Sequence, residues 1–130
     1  MDPAGRSPFE RLGGEPGISA IVNAFYDLIE TDPAYAELRK MHAEDLRPMR
    51  VALSGFLAGW TGGPRDWFEA NPEKCMMSLH APLLITQAAA QQWLSAMEAA
   101  LQVVQVDPKL AGAMQDAFYR MAKGMASAAA

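Results

Sequence analysis

Ile18, Ile21, Val22, Phe25, Tyr26 and Ile29 follow one another at steps of three, one, three, one and three. That period is the signature of a helix with a broad apolar face, whereas a half-buried strand would need alternation. The same rhythm returns between Leu46 and Trp60, where Met49, Leu53, Phe56, Leu57 and Trp60 share a side. It returns again from Thr86 to about Val104 through Ala89, Trp93, Met97, Ala100 and Val104, with Leu101 beside them. A last stripe, Leu110, Met114, Phe118, Met121 and Met125, follows Asp107-Pro108. β-Branched residues are few and period-two alternation is not sustained, so the chain is predicted to be all-α, with about five principal helices.

Caps and breaks mark where these helices begin and end. Ser7, with Pro8 in the first turn and Glu10 three residues after the cap, predicts a short opening helix that stops at Gly13-Gly14. The next helix is expected over Gly17 to Glu30, ended by Asp32-Pro33. AYAELRKMHAEDL has room for one or two tight turns. Gly62, Gly63, Pro64 and Pro72 interrupt TGGPRDWFEANPEKC, an unusually long loose connection unless Trp67 and Phe68 pack down on the core. A short helix over Lys74 to Leu79 is expected to carry His80 near its end, before the break at Pro82. The SAAA tail is expected to fray.

The 130 residues make one domain, spanning 1–130, with a core of limited size. Yet 51% of the residues are hydrophobic, including nine methionines and three tryptophans, which raises the question of what this apolar surface covers. A net charge of -4, with both signs interspersed, gives no basic stripe for nucleic acid. The stretches APLLI and LQVV are too short to span a bilayer, and the charged N-terminal segment reads as neither signal peptide nor anchor. With Cys75 the one cysteine, no internal disulfide is possible, and a cytoplasmic location is the expectation.

Few residues carry chemistry. His42 and His80 are the only histidines, and no Glu-x-x-His pair or dense ligand cluster supports a zinc or di-iron site. His80 lies in MMSLHAPLLI, flanked by apolar residues. It suits either a helix-terminal imidazole bonded to a carbonyl or the single axial ligand that a haem needs. Tyr26 lies on the inward stripe, so its buried hydroxyl needs a partner, which is either a backbone carbonyl or a bound guest. The Trp93 indole N–H faces the same alternatives. His42 reads most simply as an exposed turn residue, Met76 and Met77 as adaptable filler, and Cys75 as a small buried hydrophobe.

Taken together, GG at 13–14, FY at 25–26, MH at 41–42, FLAGWTGGP at 56–64, His80 followed by AP, and Trp93 resemble the group II, or O-type, truncated haemoglobins over about residues 8 to 125. The resemblance implies a truncated globin-like two-over-two helical sandwich around noncovalent haem b and its iron. It makes His80 the proximal metal ligand and Tyr26, His42 and Trp93 the groups that stabilise a bound gas. It counts Met49, Leu53, Phe56, Met77 and Trp93 with His80 among the cofactor contacts. No Cys-x-x-Cys-His motif is present for covalent attachment. Leu79 and Leu83 depart from the family pattern, replacing a common basic residue and a common phenylalanine, so Arg50, Arg65 and Lys74 become the candidate cations for the propionates.

The function implied is reversible binding of dioxygen, carbon monoxide or nitric oxide by a monomer or weak homodimer. Alternatives are a nitric oxide dioxygenase or a peroxidase-like haem protein served by an electron-donating reductase. A different class altogether is a cofactor-free helical interaction module docking through Trp60, Trp67 and the methionines. A ligand-binding role is favoured over a dedicated enzyme.

Overall fold

The computed structural model describes residues 7–41, 44–70 and 87–129. Helix α1 covers Pro8–Arg11, α2 Gly14–Thr31, α3 Ala36–Lys40, α4 Arg47–Trp60 and α5 Asp66–Ala70. Helix α6 covers Gln87–Val103 and α7 Pro108–Ala129. Between α2 and α3 the chain makes a 3-10 turn over Pro33–Tyr35, which supplies the tight turns expected there.

The sequence signals act where they stand. Ser7 and Glu10 form a reciprocal capping box, and Asp32 closes α2 while its carboxylate accepts from the Ala34 amide at 3.0 Å. Pro48 sits in the first turn of α4, where a missing amide costs nothing. Asp107 caps α7 by accepting from the Leu110 amide at 3.1 Å. Helix α7 extends through Ala129, in keeping with alanine's high helix propensity.

Helix α2 is the centre of the molecule. Its six stripe residues are all buried, with Ile21 and Phe25 at 0% exposure. It packs on α4 to one side and on α6 to the other, and α6 pairs in turn with α7. Two helix pairs, α2 with α4 and α6 with α7, thus close over one apolar core. Helix α3 is pinned to α6, because the Leu38 amide donates to Gln92 Oε1 at 3.0 Å. The anticipated loose connection after α4 contains α5, and Trp67 meets Phe56 edge-on with ring centroids 5.9 Å apart. The docked ring gives that segment the anchor it needs.

Helix α1 clasps the far end of α4. The Phe9 amide donates to the Thr61 carbonyl at 2.9 Å, and Thr61, itself buried, returns its hydroxyl to the Leu57 carbonyl at 2.6 Å. The chain then turns from α1 into α2 through Gly13 and Gly14, whose φ values of 97° and 70° favour glycine. One turn later Gly17 runs so close to the Leu12 carbonyl that a Cβ there would collide with backbone atoms. Replacing Gly17 with alanine should therefore lower stability by about 1–3 kcal/mol, whereas Gly112→Ala, in open space on α7, should raise it by about 0.5–1 kcal/mol. Urea unfolding of the two variants checks both signs.

Candidate functional site

The α2 stripe places Phe25 and Tyr26 side by side in the interior. Their rings meet edge-on, with centroids 4.9 Å apart and planes at 82°. Phe25 then touches Trp93 of α6 at 5.4 Å, and Trp93 meets Phe118 of α7 at 5.2 Å, again edge-on. Phe118 continues to Trp60 of α4, stacked at 5.1 Å. Edge-to-face packing lets each ring offer its positive edge to a neighbour's negative face, so the rings hold one another in fixed orientations. Tyr26 and Trp93, singled out separately in the sequence, are thereby joined through Phe25.

Helix α4 adds Leu53 and Phe56, 7% and 8% exposed, to the same core cluster. Met49, at 36%, lies at the open edge of its stripe. The result is an apolar enclosure into which two side chains with polar hydrogens are built, the Tyr26 phenol and the Trp93 indole. That donor set fits a haem pocket. A macrocycle needs apolar contact over most of its surface, with polar hydrogens confined to the side that receives a gas. His42, His80 and Met77 lie outside the described residues. Among the described residues, no group of three or more His, Cys, Asp and Glu could hold a metal ion, and no helix is long and apolar enough to cross a membrane.

Arg50, a candidate for a propionate, is committed elsewhere. Its guanidinium donates to Asn23 Oδ1 and Asp27 Oδ1 at 3.0 Å each and to Glu30 Oε1 at 3.3 Å, all on α2. Its Cζ stands over the Tyr26 ring, 5.6 Å from the centroid. The Asn23 carbonyl accepts a further hydrogen bond at 3.4 Å, so the cation is held on the face of α2 in this structure. Sequence reasoning finds the cation but not this partnership; the signal is the i, i+4, i+7 spacing of Asn23, Asp27 and Glu30, which puts three acceptors on one face of α2. Arg65 has an interaction of its own, and Lys74 lies outside the described residues.

Two helix pairs closing over one apolar core, with a phenol and an indole packed into it, match the architecture of a small globin. A family model described as "Bacterial-like globin" matches residues 7–127. The cold-adapted truncated haemoglobin of Pseudoalteromonas haloplanktis TAC125 is similar in structure, with a TM-score of 0.88 and 33% identity over 92% of this chain and 97% of its own. The group II 2-on-2 haemoglobin of Agrobacterium tumefaciens has a TM-score of 0.90 and 26% identity, covering 96% of this chain and 97% of its own. The group 2 truncated hemoglobin YjbI of Bacillus subtilis is 28% identical over 104 residues, 80% of this chain and 76% of that protein. The chain belongs to the bacterial-like globins and, among them, to the group II truncated haemoglobins of two-over-two architecture. Globins bind haem and diatomic gases and are not classical enzymes, and that class of function comes with membership.

Burial pushes the Tyr26 phenol up from 10.0 to about 12, with the Arg50 charge pulling in the opposite direction. The group is consequently a neutral donor throughout the physiological range. Between pH 10.0 and about 12 the unfolded chain gives up this proton while the folded chain keeps it, so stability is complete below pH 10.0 and falls as the pH rises through that window. Tyr26→Phe should remove up to about 2–3 kcal/mol of this alkaline loss. Unfolding free energies measured at pH 9 and pH 11 would reveal it as a flatter profile, roughly in proportion to the part of the window crossed.

Proposed function

We propose that this chain holds noncovalent haem b through His80 and binds dioxygen reversibly, with Tyr26 as the principal stabilising donor and Trp93 and His42 in support. The observation that carries the reading is the joining of Tyr26 to Trp93 through Phe25 within one apolar cluster. When bound, haem supplies an iron able to take a diatomic gas.

The chain's own residues do the rest. His80 would hold the iron through one unprotonated ring nitrogen, with the N–H of the other nitrogen available to an acceptor that fixes the tautomer. The Tyr26 O–H donates to the guest, which attracts such a bond because dioxygen draws negative charge. Trp93 Nε1–H is a second donor. Leu53 and Phe56 keep water from competing for those hydrogens, because both are buried apolar side chains. Met49 and, by family resemblance, Met77 would add apolar contacts to the cofactor. Carbon monoxide and nitric oxide fit the same enclosure, but they gain less from the donors where less charge develops.

Purified protein, with and without added haemin, should give globin-type absorption in ferric, ferrous and carbon monoxide-treated forms; folded protein that refuses haemin overturns the reading. His80→Ala should greatly weaken haem retention, and an unaltered five-coordinate spectrum in that variant would remove the ligand assignment. Tyr26→Phe should speed dioxygen release by a factor corresponding to about 1–3 kcal/mol, measured by stopped flow. An unchanged rate takes the stabilising role away from Tyr26.

A further inference from the structure

Arg50 joins a surface ion-pair cluster to an inward aromatic contact. Its side chain is 21% exposed, and its planar group meets two kinds of partner at once. Along its edge, N–H groups reach Asn23, Asp27 and Glu30, three successive acceptors on the outer side of α2. Inward, its central carbon stands over the ring of Tyr26. Only a guanidinium combines these roles, since its edge carries the fork of donors while its flat face suits an aromatic ring. A lysine would bring the charge without the fork.

The arrangement ties the gas-side helix to the helix bearing the donor. Asp27 is bound by Arg50 one residue after Tyr26, and Asn23 three residues before it. The clamp therefore grips α2 on both sides of the tyrosine. On the other flank the ring is met by Phe25, so Tyr26 has an aromatic edge on one side and a cation on the other.

We infer that Arg50 is a positioning residue, whose hydrogen bonds to Asn23, Asp27 and Glu30 and whose contact with the Tyr26 ring hold the phenol hydroxyl in place for the gas ligand. The inference rests on the reading of Tyr26 as donor. The positive charge also draws electron density from the ring, which strengthens the O–H as a donor.

The test uses full-length, haem-loaded protein with tyrosine labelled at the ring carbon bearing the hydroxyl, the Tyr26 signal being assigned by its loss in Tyr26→Phe. Arg50→Met should shift that signal, move the infrared band of added carbon monoxide, and speed dioxygen release by roughly two- to fivefold. In a Tyr26→Phe background the same change should add nothing to the release rate. Arg50→Lys should restore the signal only partly, because charge returns without the fork. Should Arg50→Met fail to fold, Asp27→Asn combined with Glu30→Gln weakens the same clamp from its exposed side and should cause smaller shifts of the same sign. An unmoved tyrosine signal and unchanged release in Arg50→Met, while Tyr26→Phe releases gas faster, overturns the inference and leaves the donor reading standing. If Tyr26→Phe itself releases gas at the original rate, the donor reading falls and takes the inferred role of Arg50 with it.

Discussion

Helix α2 has to bury its stripe against two neighbours at once, and the rest of the molecule is arranged to let it. Ile18, Ile21, Val22, Phe25, Tyr26 and Ile29 cover too wide an arc for one partner helix, so α4 takes one flank and α6 the other. Phe25, with no exposed surface, stands where the two flanks meet, touching Tyr26 beside it and Trp93 across from it. Removing either flanking helix would return large apolar side chains to water, at about 1.5–3 kcal/mol for each one fully uncovered. Core formation and the placing of the two donor side chains are therefore the same packing event.

Burying a phenol among aliphatic and aromatic groups carries a desolvation cost, and this protein incurs it at Tyr26. The same low-dielectric surroundings make each hydrogen bond formed there stronger than its equivalent in water. For the proposed gas ligand, such surroundings would favour a guest that accepts hydrogen bonds over one of similar size that does not. In the proposed pocket Leu53 and Phe56, both buried and apolar, would add to that selectivity by excluding water.

Much of this is legible before any coordinates are seen. The six residues of the α2 stripe are the six that are buried, because a period of 3.6 and a run of strongly apolar side chains leave one consistent orientation. Ser7, Pro8 and Glu10 announce a capping box that forms as expected. The five-residue α5 is harder to read, since it is too short to display a periodic face and depends on Trp67 finding Phe56. The site divides in the same way. Tyr26 and Trp93 stand out as polar-tipped aromatics on inward stripes, yet nothing in the order of residues says that Phe25 joins them. The partnership of Arg50 with α2 is not legible in the sequence, because a charged residue on a helix gives no sign of which neighbour it turns toward. His80 gains its assignment from family resemblance, one imidazole being too little to constitute a motif.

The clasp between α1 and the end of α4 bears on how the chain assembles. Phe9 and Thr61 are joined by a backbone hydrogen bond across a long stretch of sequence, so closing it costs more chain entropy than forming any single helix within that stretch. Phe25 and Trp93, which join α2 to α6, lie still further apart along the chain, so the core too is built from distant contacts. The opening turn is thus a long-range fastener of the same kind as the core, and its loss would take a backbone donor from the end of α4.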